Sequence, residues 1–428
     1  MAIGRTERRG AINCLGRISA SQHLKQRQTK MKNRPLFSII LVVFIDLLGF
    51  SLIIPLLPYY AQTFNASDTT IGLLLASYAA AQLIGAPLLG RASDRFGRRP
   101  ILLISIFGTF LGFLVFGFAR SLTMLFASRI LQGITGGNLS VAQAYITDVT
   151  DSKSRNRGLG MIGAAFGLGF IIGPALGGLL SNISYSVPAF VASALSFINL
   201  ILIAFWLPET LTTETRARMT QNKPAFSLSA LLEALKHPLT GPLLITRFLY
   251  SLAFVILQSI FSLFALKRFN MSVVSTGFVL TYVGVVSVFT QAWLVGKLSQ
   301  RFRDPILIQS GLLLLALGLL AWAFAPSVLL LVLSVTPIAL AGGMLNTIVP
   351  SALTKTVGPQ EVGGILGLAT SIESSTRVIS PLLGGFLLEK ISYWAPGTFG
   401  ALLLFITFAY VLRTMGNAGD PVTSSTNT

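Results

Sequence analysis

The sequence predicts an all-α integral membrane protein, with twelve transmembrane helices in two pseudo-symmetric six-helix bundles, and three observations carry that expectation. Of 428 residues, 53% are hydrophobic and only 11% charged, against about a quarter charged in soluble domains, so a water-facing surface cannot be built from this chain. The apolar residues fall in runs of about 20, the length a helix needs to cross a bilayer, without the alternation of barrel strands. Segments of the chain also recur at an offset of 206 or 207 residues.

Spans are read at 36–60, 70–90, 100–119, 122–147, 157–181, 186–207, 241–265, 272–296, 304–324, 327–349, 361–386 and 394–413. Ahead of them, residues 1–34 are basic and polar with no apolar core, which excludes a cleavable secretory signal; a positive tail, a transit peptide and a true start at Met31 all fit. The stretch from Pro208 to Pro238 is the longest polar interruption after that and divides the spans six and six. The domains are therefore an N-terminal tail (1–34), a bundle (35–207), a linker (208–238), a second bundle (239–414) and a C-terminal tail (415–428). Twenty-five of the 32 Lys and Arg lie on the N-terminal segment, the even-numbered loops and the C-terminal tail, four lie on odd-numbered loops, and three lie within spans. This bias places both termini and the even loops in the cytoplasm. The net charge of +18 thus belongs to loops rather than to a groove for nucleic acid.

One cysteine, Cys14, and two histidines, His23 and His237, exclude a disulfide framework and a His- or Cys-based metal or haem site, so neither metal nor cofactor is expected. Gly296 and Lys297 are followed by Leu298, and no P-loop for ATP occurs.

The loop between spans 2 and 3 reads GRASDRFGRR over 90–99: one carboxylate, Asp94, among four arginines, with Gly90 and Gly97 allowing close approach and a turn. A positive-inside anchor explains the arginines but neither Asp94 nor the glycines. Gly90, Asp94, Arg95, Gly97 and Arg98 are read as a conformational latch that pairs in the outward-facing state and breaks in the inward-facing one. GRASDRF (90–96) returns as GKLSQRF (296–302), PALGG (174–178) as PLLGG (381–385), and Gly136 and Gly137 as Gly342 and Gly343. In the second copy of the loop Gln300 replaces the acid and Arg303 the second glycine, which predicts a weaker latch. Such a duplication suits a transporter whose halves rock about a site between them at mid-membrane.

In span 5, Gly158, Gly160 and Gly163 match a dinucleotide pattern, but no strand precedes them. Gly163, Gly167, Gly169, Gly173 and Gly177 instead form a small-residue stripe for close helix contact, and Pro174 adds a bend. Asn65, Asn182 and Asn270 each open an N-x-S triplet; the loops are so short that chance is the simpler explanation.

Five charges lie within spans, where each costs about 2.5 to 3.5 kcal/mol and persists mainly where it is paired or functional. Asp46, inside span 1, is the first proton-carrier candidate; the alternative is a structural anchor. Arg129 shares a face of span 4 with Gln132. Glu373 and Arg377, spaced i, i+4 in span 11, are either a self-neutralising pair or a coupling element. Arg247, near the cytoplasmic end of span 7, is expected to snorkel. Gln82, Gln132, Asn138, Gln143, Gln258, Gln291 and Asn346 are candidates to line a substrate cavity, or equally to hold helices together.

In these motifs the chain resembles the major facilitator superfamily, and within it the twelve-span drug/proton antiporters, most closely the tetracycline-exporter-like branch. The resemblance covers 35–414. It rests on the 90–99 loop, on Asp46 to Gly49 followed by Pro55 and Pro58, on Arg129, Gln132, Gly133 and Gly136, and on Gly169, Gly173, Pro174, Gly177 and Gly178. It implies the major facilitator fold and no enzymatic activity. The implied function is proton-coupled efflux of small molecules by alternating access, from a monomer in a bacterial inner membrane. Its partners would be substrate, protons and lipid, with no nucleic acid. It further implies a proton-coupling role for Arg129, Asp148 as partner of the loop arginines, and a contact of spans 5 and 8 that seals the cavity against proton leak.

The abundance of Phe and Leu suggests a lipophilic or amphipathic substrate. The chain departs from the tetracycline pattern at Gly112, where an acid is expected, at Ser287, near where a histidine is expected, and in span 9, whose only acid is Asp304 at its start. A carrier for uptake of a metabolite is the alternative, against which the Gly-Pro motif of span 5 argues. A non-transporting receptor is a remote alternative that saturable flux would dismiss.

Overall fold

A computed structural model describes residues 35–211, 233–358 and 361–415. Tail residues 1–34 and 416–428, and most of the 208–238 linker, lie outside the described residues. The predicted spans appear in order as helices. Span 1 is Pro35–Ile53, followed after a turn by the short helix Leu57–Gln62. Spans 2 to 6 are Asp68–Phe96, Arg98–Gly117, Leu122–Thr135 with Asn138–Val149, Ser152–Ser181 and Val187–Trp206. Spans 7 and 8 are Thr240–Phe269 and Val273–Ser299, the latter with a π-helical turn at Thr290–Leu294. Spans 9 to 12 are Asp304–Ala323, Val328–Lys355, Val362–Lys390 and Ala395–Met415. Among the described residues ten helices are long and apolar enough to cross a membrane unaided. The two exceptions are span 4, interrupted at Gly136 and Gly137, and span 11, diluted by Glu373, Arg377 and several serines.

Short polar turns set where helices begin, and they repeat. Asn65, in the turn after Leu57–Gln62, and Asn270, the residue that caps the end of Thr240–Phe269, both lie in the left-handed region, with φ of 55° and 50°, a conformation Asn tolerates better than most residues. Two residues later Ser67 and Ser272 cap the next helix, their hydroxyls accepting the backbone N–H of Thr70 at 3.3 Å and of Ser275 at 3.2 Å, caps worth about 1 kcal/mol each. Two of the N-x-S triplets are therefore one turn used twice, which replaces chance as their explanation. Ser121 and Ser327 cap spans 4 and 10 in the same paired fashion.

The helices pack in two groups with matching neighbours. Span 3 lies against spans 4 and 6, and span 2 against span 4; span 9 lies against spans 10 and 12, and span 8 against span 10. The groups meet through spans 2 with 11 and 5 with 8. One hydrophobic core fills the second group and crosses into the first around Leu52, Tyr60, Phe113 and Phe116. A separate core around Ile39, Leu102, Tyr145 and Ile146 fills the other end of the first group, nearest the 90–99 loop.

That division marks an opening. At the face away from the 90–99 loop the groups touch backbone to backbone: a Cβ added to Gly277 would run into the Pro174 carbonyl, and one added to Gly72 into the Pro381 carbonyl. At the basic face, a Cβ on Gly90, Gly160, Gly163, Gly296, Gly363 or Gly367 would meet nothing within 4 Å. Spans 2, 5, 8 and 11 are thus closed together at one end and splayed at the other.

Candidate functional site

The splayed helices enclose a cavity of about 730 Å³ that reaches the basic face beside Gly90, Arg91 and Asp94. Its first-half wall presents Asp46, Tyr78, Gln82, Gln132 and Asn138, and span 11 supplies Thr370, Ser371, Glu373, Ser374 and Arg377 opposite.

The break in span 4 builds the first wall. Gly136 and Gly137 interrupt the helix, and Gln82 Nε2 donates to the freed Gly136 carbonyl at 2.9 Å and to the Tyr78 hydroxyl at 3.1 Å. A backbone group released within a membrane must be met in this way. Asn138, the first residue after the break, donates its Nδ2 to Asp46 Oδ2 at 2.5 Å. Asp46 makes no ion pair among the described residues, so its carboxylate faces the cavity with one amide for support.

Arg129 is buried, hydrogen-bonded to Gln132 Oε1, and makes no ion pair among the described residues. The rings of Phe116 and Tyr78, with centroids 5.1 and 5.6 Å from its Cζ, cover it. Desolvated cation–π contacts of this kind return about 2 kcal/mol of the cost of burial. Among the described residues Arg129 thus meets no carboxylate in this arrangement. At Gly112, where the resemblance leads one to expect an acid, an added Cβ would run into the Gln132 side chain, so a larger residue there would have to displace Gln132.

The second wall corrects the reading of Arg247. Rather than snorkelling, it lies buried and donates to Glu373, to the Tyr250 hydroxyl and, at 3.1 Å, to Asn346 Oδ1. Span 11 brings Glu373 to it from 126 positions away, and a carboxylate in reach outweighs a stretch toward water. Arg377 Nη2 donates to the other Glu373 oxygen at 2.9 Å, the i, i+4 contact expected from spacing. Glu373 is therefore clamped between two guanidiniums.

At the basic face Arg98 pairs with Asp94 at 2.6 Å and with Asp148 at 3.0 Å. Gly97 turns the chain between spans 2 and 3 with φ of 109°, which glycine adopts without strain. Arg95 is exposed, stacked on Phe96. All three latch partners belong to the first half, and their pairs are made while the basic face is open, contrary to the expectation that this arrangement breaks them: the pairs join groups within one bundle and do not span the opening. The span 5 stripe has two uses. Gly169, Gly173 and Gly177 receive Leu47, Ser51 and Leu52 of span 1, whereas Pro174 and Gly178 meet Gly277 and Val273 of span 8.

Of the other cavity candidates, Gln132 and Asn138 line it, and Asn346 joins the Arg247 cluster. Gln143, Gln258 and Gln291 are exposed and do not line the cavity. Sequence reasoning passed over Tyr78 and Tyr250, since a tyrosine in an apolar run carries no periodic signal.

The sequence model of the Major Facilitator Superfamily matches residues 39–374 and, in a second match, 243–426. The tetracycline resistance protein of class H from Pasteurella multocida is 36% identical over 368 residues, 85% of this chain and 91% of the relative. Multidrug resistance protein 2 of Bacillus subtilis (strain 168) is 31% identical over 350 residues, 81% of this chain and 87% of the relative. Among solved structures, a bacterial homolog of the human lysosomal transporter Spinster, inward-facing and occupied, superposes with a TM-score of 0.74 at 17% identity, covering 90% of this chain and 98% of that one.

Proposed function

The chain belongs to the Major Facilitator Superfamily, and from that premise we propose that it is a secondary active transporter exporting lipophilic or amphipathic small molecules, drugs among them, in exchange for protons. It is an integral multi-pass membrane protein. The relatives named for tetracycline and multidrug resistance support an exporter of drug-like compounds. The observation that carries the reading is a cavity sealed at one face and open at the other, with an ion-pair-free carboxylate, Asp46, on its wall.

The basic face is cytoplasmic by the distribution of Lys and Arg, both termini lie on that side, and the membrane is a bacterial inner membrane crossed by a monomer. The arrangement is then inward-facing, and Asp46 is where a proton entering from outside is given up before substrate binds. Glu373 and Arg377 form the second coupling element, kept in place by Arg247, and Arg129 is a cation in reserve whose exposure would accompany closure. The splayed glycines Gly90, Gly163, Gly296 and Gly367 are the close-approach positions for the outward-facing state. The pairs of Arg98 with Asp94 and Asp148 are made in the open arrangement, so the latch acts as a preassembled first-half unit, and opening separates that unit from the second half.

The test is transport into energised inverted vesicles, using a panel of lipophilic dyes and drugs with a pH probe in the lumen. Substrate-dependent proton release that disappears in Asp46→Asn is the expected result. Concentrative transport that survives Asp46→Asn moves the proton site to Glu373, and no response to any compound turns the reading toward a metabolite carrier.

A further inference from the structure

Inward of Arg91 and the paired Asp94 and Arg98 at its mouth, the cavity receives one unbalanced charge of each sign, from opposite halves. On the first wall stands Asp46, with Asn138 as its support. On the second stands Arg377, whose side chain is 45% exposed. Glu373 does not neutralise Arg377, because its other oxygen is held by the buried Arg247. The cluster of two guanidiniums and one carboxylate carries one positive charge in excess, and Arg377 is the member that presents it to the cavity. Arg129 does not, being covered by aromatic rings. Asp46, Tyr78 and Arg377 line the same cavity, so the two charges belong to one site. Around them the lining is apolar, with Phe50, Phe113 and Phe166, and the volume of about 730 Å³ suits a drug-sized molecule.

We propose that the substrate is an amphoteric amphiphile: an apolar ring body with a protonated amine that pairs with Asp46 and a carboxylate-like group that pairs with Arg377. This rests on the exporter reading above and adds the substrate class. Exchange requires substrate and proton to exclude one another. A protonated amine competes with the proton for Asp46, whereas an anion alone would favour the protonated acid and couple the two in the wrong sense. A cation alone leaves the excess charge at Arg377 without a partner once the cavity closes and the local dielectric falls. A molecule that satisfies both also ties the two halves together.

The experiment is equilibrium binding to the purified full chain of three probes on one naphthalene body: amine with carboxylate, amine with carboxamide, and acetylated amine with carboxylate. The first is expected to bind at least about tenfold more tightly than either of the others, as one charge-assisted contact is worth. Arg377→Gln should lower its affinity to that of the carboxamide probe and leave the carboxamide probe unchanged, with Arg377→Lys recovering part of the loss. Asp46→Asn should lower it to that of the acetylated probe. In Arg377→Gln the Arg247–Glu373 pair remains to hold spans 7 and 11, and a thermal melt alongside checks the fold.

Equal binding of the carboxamide probe, an equal loss of all three probes in Arg377→Gln, or no binding by any probe overturns the proposal. Proton release in vesicles is read separately. If the amphoteric probe binds as described but its transport releases no protons, the site stands and the exchange reading falls.

Discussion

Spans 5 and 8 meet at the sealed face with Gly277 beneath the Pro174 carbonyl and Gly178 against Val273; spans 2 and 11 meet there with Gly72 beneath the Pro381 carbonyl and Gly385 against Asp68. The backbone fit is the same in both seams, but the chemistry at the rim is not. In the 2/11 seam Asp68 is buried and receives Lys267 Nζ at 2.5 Å, and Glu389 accepts the Thr69 N–H at 2.9 Å. In the 5/8 seam Val273 stands where Asp68 does, and the rim is held by the Tyr59 hydroxyl, 2.9 Å from the Met271 carbonyl and 2.7 Å from Thr276 Oγ1. Close approach of glycine and a proline carbonyl makes a seam possible in either case; the charges make one of them electrostatic.

If shape is common to both seams, breaking it should cost the same in each, and more than any change at the rims. Gly72→Ala and Gly277→Ala each press a methyl into a carbonyl oxygen that no rotamer change can move. Overpacking of this kind costs about 1–3 kcal/mol, which lowers the population of the sealed arrangement about 5- to 150-fold. Spin-label distances across the sealed face should lengthen in both variants, with a matching fall in transport. Gly160→Ala, whose Cβ would meet nothing within 4 Å, gains the same helix propensity and should leave those distances alone. Unchanged distances in Gly72→Ala would show that the seam is not packed as described.

The common part was legible in sequence and the differing part was not. The repeat of PALGG as PLLGG and the glycine stripe point to close helix contact through spacing alone. The Asn and Ser of the paired turns were in plain view as triplets, but their offset of 205 was masked by their likeness to a modification motif. Asp46 stood out because a lone acid in an apolar run is costly. Asn138 could not be told from Gln143 without the break in span 4, which turns one toward Asp46 and leaves the other exposed. Arg247 with Glu373, Lys267 with Asp68 and Thr69 with Glu389 join residues 126, 199 and 320 positions apart. Local periodicity holds no trace of such pairs, and the snorkelling assigned to Arg247 was the reading a single helix allows.

The rim charges sharpen the comparison at a smaller scale. Asp68→Asn removes the partner of Lys267, whose side chain is 45% exposed and remains hydrated, so the cost falls near 1 kcal/mol rather than the larger penalty of a stranded buried charge. Tyr59→Phe removes the hydroxyl of the other rim at a comparable cost of about 1 kcal/mol. Each should shift the sealed population about fivefold. Salt separates them: the effect of Asp68→Asn should shrink as ionic strength rises and that of Tyr59→Phe should not. Equal responses in a salt series of the same spin-label distances would remove the distinction between the seams.

The smallest expected effect concerns Glu389, which lies beyond the apolar run of 361–386 at the end of span 11. The Thr69 backbone N–H, and then the Lys390 ammonium 3.0 Å away, hold its carboxyl down to about 2 from an ordinary value of 4.5. Because the folded value is depressed, whatever Glu389 adds to the seam is complete above about pH 4.5 and disappears only as pH falls through about 2. The acidic side from which protons enter an exporter would not reach that range, so the charged seam stays charged throughout turnover. Glu389→Gln retains an acceptor for the Thr69 N–H and removes only the charge, and an exposed charge of this kind should alter sealing by no more than about twofold. Distances across the 2/11 seam, followed from pH 8 to pH 5, should be as flat in the wild type as in Glu389→Gln. A midpoint inside that interval that vanishes in Glu389→Gln would mean that the Thr69 amide does not hold the carboxylate, and that the charged seam is itself a pH-sensing element.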